Sequence, residues 1–310
     1  SSPIPNWSLS KILGCKFLML MLPVISAVVG AVCGFAVSSY MGKRKSKATY
    51  AQFETLTAIQ KSLHSDAAKA TAKYDGAKNR EVLRSANLLG KTWPIRMSCR
   101  RAAGKGGKVI HFIRHGQGFH NSLNDFCKVF SVGPVNPYNI PENFDPPLTE
   151  IGRQQALQLQ SYAKTTSPQL VVVSPMSRAL MTSNIAYAHL INQVPFIAHE
   201  GCKEKSHGNA CDYRRSATMA KADFPNVDFS LIEEEDPLLS TMHHETDLEV
   251  AQRAYDFMLW IRNRTEKEIV VSTHSAWLFN LFNAVLKCDD PQLAEWFVNG
   301  ELRSVEVTFE

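Results

Sequence analysis

The hydrophobic and polar positions of the 310-residue chain divide it into three regions. In the first, residues 17–41 carry no charge and are mostly apolar. These 25 residues exceed the roughly 20 that cross a bilayer. A core helix of this length seldom lacks a polar face, and the apolar part of a signal peptide is shorter. The pattern therefore predicts a transmembrane helix at 17–41, preceded by an N-terminal tail at 1–16.

Basic residues flank this predicted span unequally. Lys11 and Lys16 precede it. Four more follow it closely, namely Lys43, Arg44, Lys45 and Lys47. The positive-inside bias then predicts a single-pass protein whose C-terminal part lies on the cytosolic, matrix or stromal side. A mitochondrial or plastid membrane is expected, because a chain that starts at Ser1 fits the removal of a transit peptide.

One face of the predicted span carries small side chains. Ser26, Gly30, Gly34 and Ser38 recur every four residues and so share one helix face. Small residues let a second helix approach closely in a bilayer. We therefore expect a membrane protein partner that docks on these four residues.

The second region, 42–107, is predicted to be a helical connector and a basic linker. Apolar residues spaced by three and four predict a helix at 48–75, which packs on the chain's own domain or in a partner's groove. A second short helix is expected at 81–89. Residues 96–107 are basic and glycine-rich, which favours a linker. The run 104–108 lacks the spacing of a phosphate-binding P-loop.

In the third region, 108–310, apolar runs and amphipathic stripes alternate. The runs predict strands at 109–113, 170–173 and 268–273. The stripes predict helices at 150–164, 177–191, 245–264 and 276–287. Residues 304–309 alternate in polarity and predict an edge strand. Strands that alternate with helices indicate an α/β fold with three layers, in which helices cover both faces of a mainly parallel sheet.

Composition excludes two classes of protein. The net charge of +5 is mild, and no broad basic face with interleaved aromatics is present, so we expect no nucleic-acid partner. The seven cysteines form no CxxC pair, which argues against a secreted disulfide scaffold and favours a reducing compartment.

Three of the predicted strands end at cationic or nucleophilic side chains. The first leads into Arg114, His115 and Gly116, the second into Arg178, and the third into His274. Open α/β sheets place their sites at the carboxyl ends of strands. Guanidinium groups match phosphate, and a neutral imidazole can attack phosphorus. The three strand ends therefore predict a phosphoryl-binding site.

Motifs in these loops resemble a known family. They are Arg114-His115-Gly116 with Asn121, the segment 147–152, Ser174-Pro175 with Arg178, and Thr273-His274. Together they resemble the histidine phosphatase superfamily, over about 200 residues. Residues 208–216 and 224–229 are similar to the phosphoglycerate-mutase-like proteins of plants and fungi.

This resemblance implies roles for individual residues. His115 is expected to become phosphohistidine, and Glu204 to act as the proton donor, with Glu200 as the alternative. Four residues are expected to bind the phosphate: Arg114, Asn121, Arg178 and His274. The insertion 193–244 corresponds to a lid that sets substrate choice. No cofactor is expected, and no metal is needed, because the guanidiniums and His274 supply the positive charge.

Two further groups in the insertion have weaker interpretations. Arg214 and Arg215 either contact the far end of a substrate at the rim of the site or are exposed loop charges. Cys202, His207 and Cys211 are too few for a zinc site of four protein ligands.

Two functions remain open from the sequence. The first is a membrane-anchored phosphatase that hydrolyses a phosphorylated small molecule or a phosphoprotein through phosphohistidine. Phosphoglycerate mutase activity is less favoured, because the loop and tail that return the phosphate are not identifiable. The second is an accessory subunit of a respiratory or photosynthetic membrane complex, in which the phosphatase-like domain is recruited as a scaffold.

Overall fold

The computed structural model describes residue 73 and residues 75–102, 106–130 and 136–310. The predicted transmembrane helix, its face of small residues and almost all of the predicted connector helix at 48–75 lie outside the described residues. Within the described ranges, no helix has both the length and the apolar character needed to cross a bilayer.

A seven-stranded mixed sheet forms the centre of the described chain. Its strands are β1 (Met97–Arg101), β2 (Lys108–Arg114), β3 (Leu170–Val173), β4 (Phe196–Ala198), β5 (Glu268–Thr273), β6 (Leu286–Cys288) and β7 (Leu302–Phe309). Their order is β4-β3-β5-β2-β7-β1-β6. Strand β7 runs antiparallel to β2 and to β1, and all other neighbours are parallel. The predicted α/β fold with a mainly parallel sheet is confirmed.

Six α-helices accompany the sheet in the part of the chain from β2 onwards that the structure describes. They are α1 (Phe119–Phe130), α2 (Glu150–Ala163), α3 (Ser177–Ala186), α4 (Ala217–Asp223), α5 (Asp247–Asn263) and α6 (Ser275–Asn280). Residues 75–85 are also helical. Thr149 caps α2 by accepting a hydrogen bond from the Gly152 amide. Thr246 and Glu249 form a capping box at the start of α5.

Alternate residues of the central strands point into two separate cores. Ile110, Ile269 and Val271 pack with α5 and α6 on one face of the sheet. Ile113 and Val270 pack with α3 on the other face. Successive side chains of a strand point to opposite faces, so strands buried on both sides produce the continuous apolar runs seen in the sequence. The three layers follow from these two cores.

The prediction of a linker at 96–107 is wrong for the first half of this segment. Met97–Arg101 forms β1, which inserts between β7 and β6. Met97 and Cys99 are buried, whereas Arg100 pairs with the buried Glu306 across the ladder. Ser98 separates the two apolar residues and two consecutive arginines follow them, and this polar surrounding concealed the period of the strand. The domain boundary at 108 is therefore too late.

The chain before β1 also belongs to the folded domain. Leu83, Leu88 and Trp93 lie in the core beneath α5 and α6. The Trp93 indole donates to the carbonyl oxygen of Ala284 at 2.7 Å and stacks on Tyr255 with ring centroids 4.5 Å apart. The segment from about residue 75 therefore packs as part of the same domain as the sheet.

Two other predicted elements differ in the structure. Residues 304–309 were predicted to form an edge strand, but they belong to β7, which is an interior strand. It pairs with β2 on one side and with β1 on the other. The helix predicted at 276–287 ends at Asn280, continues as a π-helical turn over Leu281–Val285, and becomes strand β6. All side chains of this turn except that of Asn283 are apolar and buried, so hydrophobic periodicity does not reveal the change.

Two glycines bring the loop after β2 against the start of α2. A Cβ on Gly116 would overlap the carbonyl oxygen of Gly152, and a Cβ on Gly152 would overlap that of Gln117. The His115 amide meanwhile donates to the Thr273 carbonyl at the end of β5 at 2.9 Å. These contacts hold the carboxyl ends of β2 and β5 together, and the site lies there.

Candidate functional site

His115 follows the last residue of β2 and is 1% exposed. Its Nδ1 lies 2.6 Å from the carbonyl oxygen of Gly116. Because a carbonyl oxygen can only accept, Nδ1 carries the proton. In the neutral ring, Nε2 then holds the free electron pair. The Nε of Arg178 donates toward it at 3.3 Å.

The surroundings keep His115 neutral. Burial lowers the pKa of His115 well below its ordinary value, and the charges of Arg178 and Arg114 lower it further. A neutral imidazole is the form that can attack phosphorus, because a protonated ring has no electron pair to offer. The ring therefore has the tautomer and the charge state of a nucleophile.

Arg178 is the second residue of α3 and is buried beside His115. Its Nη1 donates to the Cys211 carbonyl at 3.0 Å, and Nη2 lies 3.5 Å from the sulfur of Met176. The guanidinium is thereby fixed at the Nε2 side of His115. A group transferred to that nitrogen would lie beside a permanent positive charge.

His274 caps α6 and is fully buried, with its ring centroid 5.0 Å from that of His115. Its Nε2 is hydrogen-bonded to the Ser174 hydroxyl at 2.7 Å. Burial lowers the pKa of His274 well below its ordinary value, with Arg178 as the next cause. The structure thus joins the ends of β2, β3 and β5 as predicted.

Three buried nitrogens around this point have no hydrogen-bond partner among the described residues: Arg114 Nε, His120 Nδ1 and His274 Nδ1. Buried polar atoms in native proteins are nearly always paired, so a cluster of orphaned nitrogens marks a binding position. Arg114 is otherwise held by a 2.7 Å bond to the Phe297 carbonyl. An oxyanion, which only accepts hydrogen bonds, suits such a cluster.

Asn121 contacts the loop that carries His115. Its Oδ1 accepts from the Gly118 amide at 3.0 Å and from the Asn299 side chain at 3.3 Å. Asn299 also donates to the His115 carbonyl at 3.3 Å. Asn121 is therefore close to the site, and phosphate binding by its side chain stays a prediction.

The Glu204 carboxylate lies at the start of α6, the helix that follows His274. One carboxylate oxygen accepts from the Trp277 amide at 3.0 Å, and the other lies 3.4 Å from the Ala276 amide. Its negative charge also acts on Arg114, whose pKa it raises against the larger lowering by burial. The carboxylate therefore belongs to the electrostatic environment of the site.

Glu200, the alternative proton donor, is engaged elsewhere. Its Oε1 lies 2.6 Å from Nε of Arg214, which forms an ion pair with it. The sequence left open which of Glu200 and Glu204 is the proton donor. The structure brings only Glu204 into contact with the start of α6.

Arg253 of α5 holds the backbone of the segment that contains both glutamates. It donates to the carbonyls of Gly201 at 3.3 Å and Lys203 at 2.7 Å, and to that of Glu204 at 3.3 Å. Glu245 fixes the same guanidinium through two 2.9 Å bonds. The position of Glu204 thus depends on α5.

The prediction that Arg214 lines the rim is wrong. Arg214 is 1% exposed, and besides Glu200 it donates to four backbone carbonyls, those of Arg215, Glu233, Glu234 and Glu235. All donors of its guanidinium are occupied, so it holds the insertion together. The residue type alone could not distinguish this buried role from an exposed one.

Arg215 is less enclosed than Arg214. Its guanidinium lies 3.3 Å from Asp145 and 2.6 Å from Asp223. Asp145 also accepts from the amide and the hydroxyl of Ser177, which precedes Arg178. A substrate contact by Arg215 stays a prediction, as does the lid role of 193–244.

The described residues contain no group of three histidine, cysteine or acidic side chains arranged to hold a metal ion. Of the possible zinc ligands in the insertion, the Cys202 thiol donates to the His199 carbonyl, and the Cys211 thiol lies 3.5 Å from Asp212. Each thiol thus contacts an oxygen acceptor nearby in the chain.

Two neighbours of His115 were missed from the sequence. The buried His120 has its ring centroid 5.8 Å from that of His115. The Thr182 hydroxyl accepts from the Gly116 amide at 3.0 Å and donates to the Arg178 carbonyl at 2.7 Å. Each had a local signal, since His120 directly precedes Asn121 and Thr182 lies one helical turn after Arg178.

Comparison with known proteins agrees with this geometry. The profile of the histidine phosphatase superfamily (branch 1) matches residues 110–309, and the chain belongs to this superfamily. Its sequence is 34% identical over 235 residues to a phosphoglycerate mutase-like protein of Arabidopsis thaliana, covering 64% of this chain and 84% of that protein.

Two further proteins show the range of the similarity. A Schizosaccharomyces pombe protein named a probable phosphatase is 29% identical over 195 residues, covering 59% of this chain and 81% of its own length. The solved structure of a mycobacterial glucosyl-3-phosphoglycerate phosphatase has a TM-score of 0.41 at 17% identity, covering 66% of this chain and 97% of that one.

The buried histidines predict how stability depends on pH. The pKa of His274 is lower in the folded protein than in the unfolded chain, so below about pH 6.5 only the unfolded chain takes up the proton. Stability should therefore fall as the pH falls from 7 to 5. Replacing His274 with asparagine should reduce this slope of the unfolding free energy by up to about 1.4 kcal/mol per pH unit.

Urea unfolding at a series of pH values measures the slope. The exposed His207 provides the matched control, since its replacement by asparagine should leave the slope unchanged. An unaltered slope in His274→Asn would contradict the neutral, buried state assigned to His274.

Proposed function

We propose that this protein is a phosphatase that hydrolyses a phosphomonoester through a phosphohistidine intermediate at His115. The observation that carries this proposal is the buried imidazole, whose unprotonated Nε2 lies 3.3 Å from the guanidinium of Arg178. Orphaned nitrogens of Arg114 and His274 in the same cluster support it. Membership of the histidine phosphatase superfamily agrees with the same chemistry.

In the first step, Nε2 of His115 attacks phosphorus, and a nitrogen–phosphorus bond forms as the bond to the leaving oxygen breaks. Glu204, as the carboxylic acid, gives its proton to that oxygen. Arg114, Arg178 and His274 stabilise the charge that develops on the phosphoryl oxygens. The hydrogen bond from Nδ1 to Gly116 stabilises the positive charge that the ring acquires.

In the second step, the Glu204 carboxylate accepts a proton from water as the water attacks phosphorus. The nitrogen–phosphorus bond breaks and its electron pair returns to Nε2 of His115. Inorganic phosphate leaves, and Glu204 is again protonated for the next cycle. The reaction consumes one water and needs no other reactant.

The substrate class is a phosphorylated small molecule or a phosphoprotein. The name of the mycobacterial protein describes a phosphatase of a phosphorylated metabolite, and by analogy we favour a small molecule here. Hydrolysis is preferred to mutase activity, although the Arabidopsis relative is named mutase-like, because no element that returns the phosphate was identified in the sequence.

We also propose that residues 17–41 anchor the protein in a mitochondrial or plastid membrane, with the phosphatase domain on the cytosolic, matrix or stromal side. The uncharged run and the basic residues that follow it support this placement. The face formed by Ser26, Gly30, Gly34 and Ser38 supports a membrane protein partner. It also supports the second candidate role, an accessory subunit of a respiratory or photosynthetic complex.

Phosphate release from a panel of phosphorylated metabolites and phosphopeptides tests the activity. The wild-type protein should release phosphate from at least one compound, and His115→Ala should lower kcat by about 1,000-fold or more, because the nucleophile is lost. The matched control is His111→Asn, which removes another buried histidine of β2, four residues away and bonded to Ser304. A similar loss in both variants, or turnover that survives His115→Ala, would contradict the proposal.

The leaving group distinguishes Glu204 from Glu200 as the acid. In Glu204→Gln, kcat/KM for an alkyl phosphate should fall about 100-fold, whereas p-nitrophenyl phosphate should be much less affected, because p-nitrophenolate leaves without a proton. Glu200→Gln should affect both substrates equally, through its ion pair with Arg214. The opposite pattern would assign the acid to Glu200.

A further inference from the structure

His120 is a third imidazole at the site, and the mechanism above does not use it. It is the second residue of α1 and is 5% exposed. Its ring centroid lies 5.8 Å from that of His115 and 6.1 Å from that of Tyr138. His120 thus lies within the reach of a ligand bound at His115.

Gly118 permits this position of the ring. A Cβ on Gly118 would lie 2.7 Å from Cε1 of His120 and 2.8 Å from its Nδ1, and 3.5 Å from Cδ of Arg178. Only glycine leaves room for the imidazole to lie against the loop that carries the nucleophile. The loop after β2 is therefore shaped around His120 as well as around His115.

One polar atom of the His120 ring, Nδ1, is not paired by the described part of the protein. Its Nδ1 is buried and has no hydrogen-bond partner among the described residues. Leaving such an atom unpaired destabilises the folded protein. A buried nitrogen that the fold leaves unpaired beside a nucleophile is best explained by a ligand that pairs with it.

The charges around His120 are positive. Burial and then the charges of Arg178 and Arg114 lower the pKa of His120 well below its ordinary value. The titratable and charged groups that face it are Arg114 and His115 from the end of β2, Arg178 from α3, His274 from the start of α6, and Tyr138 from the loop after α1. A dianion placed among these groups would reverse the sign of the local field and favour protonation.

We propose that His120 is an additional phosphate-binding residue, which takes up one proton from solvent when a tetrahedral dianion binds and donates an N–H to it. The proposal rests on the proposed function, since it concerns the same phosphoryl site. The added proton makes the imidazole an imidazolium, and it returns to solvent when phosphate leaves. His115 stays neutral while the anion binds, because burial and the charge of Arg178 lower its pKa.

Sulfate is the suitable probe, because it is a tetrahedral dianion that does not itself titrate near neutral pH. Its dissociation constant, measured by calorimetry on the full chain from pH 7.5 to 5.5, should decrease as the pH falls. Each proton taken up with the anion contributes up to tenfold per pH unit. His120→Asn should reduce this dependence by up to tenfold per pH unit and weaken binding at the acidic end by about tenfold or more. His111→Asn, which removes a buried histidine outside the site, should leave the affinity for sulfate and its pH dependence unchanged.

Inorganic phosphate binding is measured in parallel. If the wild-type protein binds either anion and His120→Asn binds it with the same affinity and the same pH dependence, this proposal is overturned while the proposed function stands. If the wild-type protein binds neither anion, this proposal and the proposed function both fail. A measurement without substitution guards against misfolding of the variant. On addition of sulfate at pH 6, the ring nitrogens of His120 in the wild-type protein should move to imidazolium chemical shifts, and a ring that stays neutral would also overturn the proposal.

Discussion

The hydrogen bond between Nδ1 of His115 and the Gly116 carbonyl decides what the site can do. At 2.6 Å it fixes the proton on Nδ1 and leaves the electron pair on Nε2, next to Arg178. The bond exists because the loop after β2 turns tightly at Gly116, against the first turn of α2 at Gly152. Thr182 holds the same turn from α3 through the Gly116 amide. The imidazole of His115 is thus oriented by helices on one side of the sheet.

The second constraint is the balance between burial and charge. His115, His120 and His274 are enclosed with two guanidiniums, and each has its pKa lowered by that enclosure. Neutral imidazoles avoid placing five like charges in a buried space, which would cost far more than the fold could compensate. Arg253 holds the backbone of Glu204, and the Glu204 carboxylate accepts a hydrogen bond at the start of α6. This carboxylate provides a negative charge to balance the guanidiniums. A phosphate that binds here would add negative charge to a site in which positive charge is in excess.

The sequence predicted the parts of this arrangement that depend on local pattern. Apolar runs ended at Arg114 and His115, at Arg178 and before His274, and the parallel order of β3, β5 and β2 brings these ends together. The resemblance to the histidine phosphatases supplied Glu204 and Glu200 as candidate proton donors; Glu204 accepts a hydrogen bond at the start of α6, whereas Glu200 is paired with Arg214.

Features that depend on distant partners were not predictable in the same way. Strand β1 is recognisable only once β7 and β6 are known to pair with it, because its two consecutive arginines resemble a linker. Arg214 looks like a rim residue until its carbonyl acceptors, about twenty residues later, are in place. His120 differs from these two cases, because its partners are close in sequence; it had no assigned role because the position of its ring depends on the room that Gly118 leaves.

The central claim is that His115 carries the phosphoryl group on Nε2. Stopping turnover of a phosphorylated substrate in alkali, which preserves phosphohistidine, and recording the phosphorus-31 NMR spectrum with mass spectrometry of the peptides tests this directly. The account predicts one phosphate per chain, on Nε2 of His115, which disappears as substrate is exhausted. Phosphate on Nδ1, phosphate on another residue, or steady turnover through an enzyme that never becomes phosphorylated would contradict it.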